Sequence, residues 1–90
     1  MYYKIVRTKT FIKDMNKLKI SNQQYTKLII YLSKLATKEP LPKEAKDHQL
    51  KGLLKEFREF HIGGDLLVMY KIENNQVILV RIGSHSELFK

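Results

Sequence analysis

Three runs of alternating apolar and polar residues in the second half of the chain place the strongest constraint on its fold. The runs cover residues 54–62, 66–72 and 76–82, with Gly63-Gly64-Asp65 and Asn74-Asn75 between them. Alternation with a period of two is typical of a half-buried strand, and Gly, Asn and Asp favour tight turns because they tolerate left-handed backbone conformations. The sequence therefore predicts a meander of three antiparallel strands.

The first half of the chain predicts one strand followed by a first helix. Residues 2–7 are rich in aromatic and β-branched side chains, which favour a strand. Thr8 is suited to cap a helix whose apolar stripe falls on Phe11, Met15 and Leu18.

A second helix is predicted to begin at Ser21, because Gln24 three residues later completes a capping box. The helix must end before Pro40, since the residue ahead of a proline disfavours helical backbone. Its predicted buried face consists of Tyr25, Leu28, Ile29, Leu32, Leu35 and Ala36. Only a few residues separate the two helices, so we expect them to form an antiparallel hairpin.

The order of these elements, a strand, two helices and three strands, predicts one α+β domain over residues 1–90. The helical hairpin is expected to cover one face of a small, mainly antiparallel sheet and to leave the other face open. Residues 38–46 are expected to form a polar connection and residues 47–52 a turn. Gly83 is expected to break the last strand, which leaves residues 84–90 as a short tail.

Alternation along the strands also assigns side chains to the two faces of the sheet, because successive residues point to opposite sides. The residues expected on the core side are Arg58, Phe60, Ile62, Ile78, Val80 and Ile82. The residues expected to face away from the helices are Phe57, Glu59, His61, Val77, Leu79 and Arg81. The uncovered face is therefore expected to display Glu59, His61 and Arg81.

The charge balance of the chain favours a polyanionic partner. Lys and Arg number 17 and Asp and Glu number 9, which gives a formal net charge of +8. Each cation that neutralises a phosphate releases a counterion, so such a surface favours nucleic acids. The charge also fits a merely soluble surface, whereas no segment pairs a clean apolar stripe with an all-basic face, as membrane-surface helices do.

The absence of Cys removes disulfides and thiolate metal sites, so burial of apolar side chains has to supply the stability. It also fits a reducing compartment. The first residues show no apolar run of signal-peptide length, and no run approaches the roughly 18–20 apolar residues that span a bilayer. We therefore expect a soluble cytoplasmic protein.

All three histidines, His48, His61 and His85, fall in the second half of the chain, each at the edge of a predicted element. Histidine exchanges protons near neutral pH, and RNA carries its own nucleophile, the 2′-hydroxyl. Cleavage then needs a base, an acid and positive charge on the phosphate, with no metal or organic cofactor. Each histidine also has an ordinary interpretation as a surface residue. A zinc site is a further alternative, but the histidines are spread over separate elements with no short H-x3-H pair.

Two acidic residues are candidates to support these histidines. Glu59 lies two positions before His61 and shares its side of a strand. Asp65 follows two glycines, and it either completes the turn or orients a histidine.

Three basic residues and one aromatic residue are candidates to contact RNA. Lys51, Lys55 and Arg81 carry charge for backbone phosphates, although each also fits a solvated surface charge. Phe89 either stacks on a base or closes the core near the end of the chain.

Four segments of the second half form a combination that resembles a known family. Residues 47–52, 58–61, 65–71 and 81–89 contain, in order, the patterns D-H-x-L-x-G, R-[DE]-x-H, D-x-L-[IVL]-x-Y-K and G-[ST]-H-x-x-L-F. In this combination the chain resembles the YafQ-type toxins of the RelE/ParE superfamily of bacterial toxin–antitoxin systems. The resemblance extends over essentially the whole chain.

The resemblance implies a RelE-like fold and the toxin component of a type II toxin–antitoxin system in the bacterial cytoplasm. Such a toxin is expected to be an endoribonuclease, an mRNA interferase that cleaves mRNA and inhibits translation, in many relatives on the ribosome. The resemblance also implies a cognate antitoxin that covers the active face. Operator DNA is then expected to be contacted only through the antitoxin complex.

The resemblance further assigns roles to residues at matching positions. The active-site residues that carry over are His48, His61, Asp65, His85 and Phe89. His85 is expected to transfer a proton. His48 and His61 are expected to share proton transfer and phosphate contact, with support from Asp65. Phe89 is expected to position a base. Glu59 stands where close relatives often have Asp, so the carboxyl group is kept with a longer reach.

Two other functions stay open at this point. One is a ParE-like toxin that inhibits DNA gyrase without catalysis, for which a histidine-rich face has no use. The other is a regulatory DNA-binding protein, which the basic charge supports but for which the sequence shows no helix-turn-helix pattern.

Overall fold

The computed structural model describes residues 1–89, and Lys90, the last residue of the predicted tail, lies outside the described residues. In chain order, the elements are β1 (Lys4–Arg7), α1 (Lys9–Lys17), α2 (Asn22–Ala36), β2 (His48–Gln49), β3 (Arg58–Gly63), β4 (Leu66–Glu73), β5 (Gln76–Ser84) and α3 (His85–Leu88). Single turns of 3-10 helix occupy Lys43–Ala45 and Gly52–Leu54 in the connection between α2 and β3. A bilayer would demand a longer and more apolar helix than any of these.

The strands belong to one sheet, in the order β1-β5-β4-β3-β2. β1 runs parallel to β5, and the other neighbouring pairs are antiparallel. α1 and α2 lie against one face of the sheet. The core between them consists of Phe11, Leu28, Tyr31, Leu35, Ala45, Phe60, Ile62, Val68, Tyr70, Val77, Leu79 and Ile82. The predicted α+β fold, a helical hairpin on one face of a mainly antiparallel sheet, is confirmed.

Both helix starts predicted from the sequence are confirmed. The Thr8 hydroxyl accepts a hydrogen bond from the amide of Phe11. The Ser21 hydroxyl accepts from the amide of Gln24, and the Gln24 side chain accepts from the amide of Ser21, each at 3.0 Å. Gln24 also donates its side-chain amide to the carbonyl of Gly63 at 3.0 Å. The capping box therefore ties the start of α2 to the end of β3.

The buried face of α2 differs from the prediction. Leu28, Tyr31 and Leu35 are buried, whereas Tyr25 and Ile29 are 51% and 49% exposed. α2 meets the sheet along a narrow line, on which the ring of Tyr31 stands edge-on to a phenylalanine of β3. Tyr25 and Ile29 lie to one side of that line, where they border an open groove between α1 and α2.

The connection into the meander also differs from the prediction. Within the predicted turn 47–52, His48 and Gln49 form a short strand that pairs with β3. β3 begins at Arg58 rather than four residues earlier, because the backbone of residues 51–57 forms hydrogen bonds within itself in successive turns. Apolar alternation alone does not distinguish these turns from a strand.

β5 contains a β-bulge. Tyr70 of β4 pairs with Leu79, whereas Met69, the preceding residue of β4, pairs with Arg81. Val80 is therefore an extra residue without a partner in the ladder. It shifts the alternation of β5 by one position from this point to the end of the strand.

The prediction for the faces of β5 is wrong before the bulge and right after it. Val77 and Leu79 lie in the core, while Ile78 and the bulge residue are partly exposed. Ile82 lies in the core, as predicted, and Arg81 shares a row with Met69 on the other face, although its guanidinium reaches round to Asp14 of α1. The error arises because the extra residue reverses the alternation, and the sequence does not reveal a bulge that lies within a run of apolar residues.

The predictions that Gly83 breaks the last strand and that a simple tail follows are wrong. β5 continues to Ser84, and α3 begins directly after it. A Cβ atom on Gly83 would lie 3.3 Å from Cδ2 of Leu88 and 3.2 Å from Oε1 of Glu87. Gly83 thus allows α3 to fold back closely against β5, on the face away from α1 and α2.

Replacing Ser21 with Ala is expected to lower the free energy of unfolding by about 1 kcal/mol, because the amide of Gln24 loses its acceptor. Chemical denaturation measures the change. Ser33→Ala is the matched control, since Ser33 is exposed within the same helix, where alanine is at least as favourable. An equal loss of stability in both variants would contradict the capping role.

Candidate active site

The face of the sheet away from α1 and α2 carries polar side chains in neighbouring strands. Paired positions share a face. One row across the sheet consists of His48, Glu59, Met69 and Arg81, from β2, β3, β4 and β5. The next row consists of His61, Leu67 and Gly83. The structure thus places Glu59, His61 and Arg81 on the face where the sequence predicts them.

Glu59 stands between two histidines. Its Oε2 atom lies 3.2 Å from Nε2 of His48 and 3.8 Å from Nε2 of His61. The Glu59 side chain is 8% exposed, whereas the side chains of His48 and His61 are 50% and 31% exposed. A buried carboxyl group therefore lies between two imidazole rings that reach solvent, and it is closer to the ring of His48.

His48 is oriented through both of its ring nitrogens. Nδ1 lies 2.7 Å from the carbonyl oxygen of Lys46. Since a carbonyl oxygen only accepts, this contact requires a proton on Nδ1. On the other side of the ring, Nε2 lies 3.2 Å from Oε2 of Glu59. His48 is therefore held with its second nitrogen against the carboxyl group of Glu59.

The carboxyl group of Glu59 is incompletely satisfied. Its Oε1 atom is buried and has no hydrogen-bond partner among residues 1–89. A buried polar atom without a partner costs about 1–3 kcal/mol. Natural proteins break such local rules mainly at functional sites, so Glu59 is a candidate for function rather than for stability.

α3 holds the third histidine together with a phenylalanine. Ser84 caps the helix in a reciprocal box with Glu87. His85 and Phe89 lie one turn apart, with ring centroids 4.9 Å from each other. His85 is exposed, and Phe89 is half-buried and stands outside the core between helices and sheet. Both rings therefore border solvent.

β4 lies between the strand that carries Glu59 and His61 and the strand that leads to His85 and Phe89. β4 lies between β3 and β5, and a spacing of about 4.8 Å between neighbouring strands places β3 and β5 about 10 Å apart. His61 and Gly83 share a row, with the buried Leu67 of β4 between them. His85 follows Gly83 by two residues. The fold thus places His48 and His61 on one face of the sheet, and His85 begins the helix that directly follows β5 of the same sheet.

Arg81 is already engaged by an acidic residue of α1. Its Nε donates to Oδ2 of Asp14 at 2.7 Å, and its Nη2 donates to Oδ1 at 3.2 Å. Asp14 Oδ2 also accepts from the amide of Ile82 at 3.1 Å. The hydrogen bond that Arg81 donates to Asp14 raises the pKa of Arg81. Arg81 therefore keeps its charge, but a carboxylate partly neutralises it.

The remaining predicted residues lie at the margin of this face. Lys51 and Lys55 are exposed in the loop that leads to β3. Asp65 is exposed in the turn between β3 and β4, and no hydrogen bond or ion pair within residues 1–89 joins it to a histidine. The same residues contain no group of three or more His, Cys, Asp or Glu side chains placed to hold a metal ion.

Sequence reasoning misses a second polar group, on the opposite face of β3 and β4. The Tyr70 hydroxyl donates to Oδ1 of Asp47 at 2.6 Å, and Nε of Arg58 lies 3.3 Å from both of these atoms. All three residues belong to the four motif segments. Their presence in those segments without an assigned role is the signal that points to them.

Comparison with known proteins agrees with the resemblance shown by the motif segments. A family model described as the bacterial toxin of type II toxin–antitoxin system, YafQ, matches residues 3–90. The mRNA interferase toxin YafQ of Escherichia coli strain K12 is 36% identical over 77 residues, which cover 86% of this chain and 74% of that protein.

Solved structures share the fold over nearly the whole chain. A metal-bound toxin from Helicobacter pylori is 42% identical with a TM-score of 0.81, and the match covers 97% of this chain and 99% of that chain. The Escherichia coli DinJ–YafQ toxin–antitoxin complex contains a chain that is 27% identical with a TM-score of 0.84, and the match covers 100% of both chains. Sequence, motifs and fold agree, and the chain belongs to the YafQ family of bacterial toxins of type II toxin–antitoxin systems.

Proposed function

We propose that the chain is an endoribonuclease that cleaves mRNA by acid–base catalysis with its own histidines and thereby inhibits translation. The observation that carries the proposal is the contact of Glu59 with both His48 and His61, beside the helix that carries His85 and Phe89. The similar protein of Escherichia coli is named an mRNA interferase. The net charge of +8 supports a polyanionic substrate.

RNA supplies the nucleophile for this reaction. A base on the enzyme removes the proton of the 2′-hydroxyl, and the 2′-oxygen attacks the adjacent phosphorus atom. The bond between phosphorus and the 5′-oxygen then breaks, and an acid on the enzyme protonates that oxygen. The products are a 2′,3′-cyclic phosphate and a 5′-hydroxyl, so the enzyme takes up one proton and gives up one.

Two of the observed groups suit these two proton transfers. A phosphodiester bound on this face of the sheet can reach groups carried by both β3 and β5, which are about 10 Å apart. His48, which contacts the carboxyl group of Glu59, and His85 are the two proton-transfer groups in this proposal. His61 shares the carboxyl group of Glu59 and contacts the phosphate.

The other predicted residues bind and orient the RNA in this proposal. Phe89, whose ring contacts that of His85, stacks on a base next to the cleaved bond. Lys51 and Lys55 contact backbone phosphates from the exposed loop before β3. Arg81 adds charge near the phosphate, and Asp65 supports a histidine from the neighbouring turn.

The family supports the proposed partners and location. A similar chain has been solved in complex with the antitoxin DinJ. We infer that a cognate antitoxin binds this chain as well, and that operator DNA is contacted only through the complex. The mRNA substrate places the enzyme in the bacterial cytoplasm, and residues 1–90 act as one toxin domain.

Replacing His85 with Ala is expected to lower the rate of mRNA cleavage by about 10²–10⁴-fold, because one of the two proton-transfer groups is lost. The assay incubates purified protein with mRNA in the presence of a chelator, with and without ribosomes, and maps the product ends. Wild-type protein is expected to leave 2′,3′-cyclic phosphates. Thr26→Ala is the control, since Thr26 lies exposed on α2, on the other side of the sheet.

Four outcomes would count against this proposal. Equal cleavage by wild type and His85→Ala, or no cleavage under any of the conditions, would reject histidine catalysis. Inhibition of DNA gyrase supercoiling without RNA cleavage would support a ParE-like toxin instead. Sequence-specific DNA binding by the isolated chain would support a regulatory role.

Replacing Glu59 with Gln is expected to lower cleavage at least about tenfold, since proton transfer by a positioned group typically contributes more than that. The free energy of unfolding is expected to stay within about 1 kcal/mol of wild type, because the buried carboxyl group is incompletely satisfied in the first place. Single-turnover cleavage and chemical denaturation measure the two quantities.

Glu73→Gln is the control for this variant, because Glu73 is an exposed carboxylate that pairs with Lys71 at the surface. It is expected to change neither quantity appreciably. Full activity together with a large loss of stability in Glu59→Gln would show that Glu59 has a structural role and no part in catalysis.

A further inference from the structure

Three polar residues from the motif segments meet on the opposite side of the sheet from the histidines. Tyr70 is 1% exposed and donates its hydroxyl hydrogen to Oδ1 of Asp47 at 2.6 Å. Nε of Arg58 lies 3.3 Å from the same Oδ1 and 3.3 Å from the Tyr70 hydroxyl oxygen. One carboxylate oxygen thus receives donors from both β3 and β4. The mechanism proposed above gives none of these residues a role.

We propose that Asp47, Arg58 and Tyr70 are positioning residues that hold His48 against Glu59 from the other face of the sheet. The proposal rests on the proposed function, in which His48 transfers a proton. Asp47 directly precedes His48, and successive residues of an extended chain point to opposite faces. Fixing the carboxylate of Asp47 on one face therefore fixes the direction of the imidazole on the other.

The segment that carries His48 needs an anchor because β2 is short. β2 consists of His48 and Gln49, lies at the edge of the sheet and, within residues 1–89, pairs with β3 alone. Just before it, Lys46 adopts left-handed backbone with a φ of 50°, which is uncommon outside glycine. A two-residue ladder at an edge gives little resistance to fraying, so side-chain hydrogen bonds determine where the ring lies.

The residues before and after His48 in the chain are held to the sheet by different hydrogen bonds. After His48, the amide of Leu50 donates to the carbonyl of Phe57 at 2.9 Å, and the side chain of Gln49 donates to the carbonyl of Lys55 at 2.6 Å. Before His48, the side chain of Asp47 makes the contacts that reach β3 and β4. The anchor at Asp47 therefore adds to the short ladder a side-chain link from the segment of His48 to both β3 and β4.

Tyr70 makes this anchor rigid. Its ring packs against Phe60 in the core, with centroids 5.7 Å apart, so the position of the hydroxyl is set by the core. Burial first, and then the hydrogen bond and charge of Asp47, raise the pKa of Tyr70 far above its ordinary value. The hydroxyl thus stays a donor at any pH at which the enzyme works.

NMR of the imidazole nitrogens tests the positioning role without relying on catalysis. In Tyr70→Phe and Asp47→Ala, the resonances of His48 are expected to move toward those of a free imidazole, and its Nδ1 proton to exchange faster with water. The resonances of His61 and His85 are expected to stay in place. Asp47→Asn keeps an oxygen that can accept both donors, and it is expected to restore the wild-type spectrum of His48.

Kinetics in the cleavage assay give the second readout. Tyr70→Phe and Asp47→Ala are expected to lower kcat by about 10- to 100-fold, since small misplacements of a catalytic group have effects of this order. KM is expected to stay near the wild-type value, because the network lies on the face away from the RNA. Asp47→Asn is expected to recover most of the lost kcat.

Tyr31→Phe is the matched control. Tyr31 is another buried tyrosine whose ring packs against Phe60, but its hydroxyl interacts with Glu44. Lys27 still pairs with Glu44 when that hydroxyl is removed. The control is expected to lose a similar amount of stability while it keeps the His48 resonances and kcat.

Two results would overturn the positioning role. One is an unchanged His48 spectrum in folded Tyr70→Phe and Asp47→Ala proteins, and the other is the same spectral change in Tyr31→Phe. If the wild-type protein does not cleave RNA, the proposed function fails, but the NMR comparison still decides whether the network holds His48.

Discussion

Burial of Phe60 and Ile62 under the helices determines where the histidine face lies. Both side chains are fully buried, and Phe60 packs between two tyrosine rings. Because side chains alternate along a strand, this packing places Glu59 and His61 on the opposite face of the sheet. A slip of β3 by one residue would exchange the two pairs and place a carboxyl group in the core, which the loss of apolar burial opposes. The chemistry of the site thus depends on the packing behind it.

Features that depend on local chemistry can be predicted from the sequence. The caps at Thr8 and Ser21 depend on hydrogen bonds to residues three positions away, and the turns of the meander depend on residues that tolerate left-handed backbone. Features that depend on distant pairing cannot be predicted in this way. β2 exists because His48 meets Glu59 eleven positions later, and the exposure of Tyr25 depends on how the two helices settle on the sheet.

The same distinction between local chemistry and distant pairing applies to the candidate site. Chemical type and motif position are enough to single out the histidines, since few side chains exchange protons near neutral pH. The depth of a group in the fold is a property of the assembled sheet. For this reason the sequence gives no sign that Glu59 is buried between two imidazoles, or that Asp47 and Tyr70 meet behind them. The sequence also does not show that Arg81 forms hydrogen bonds with Asp14.

The extra residue Val80 divides β5 into two halves, one that fills the core and one that carries Arg81 and Gly83 on the histidine face. In a regular strand, the half that fills the core would dictate which side chains the other half presents to a ligand, because one alternation would run through both. The bulge resets that phase, so Val77 and Leu79 point into the core while Arg81 and Gly83 point to the histidine face. The half of β5 before the bulge can therefore keep its packing when side chains on the histidine face of the other half change.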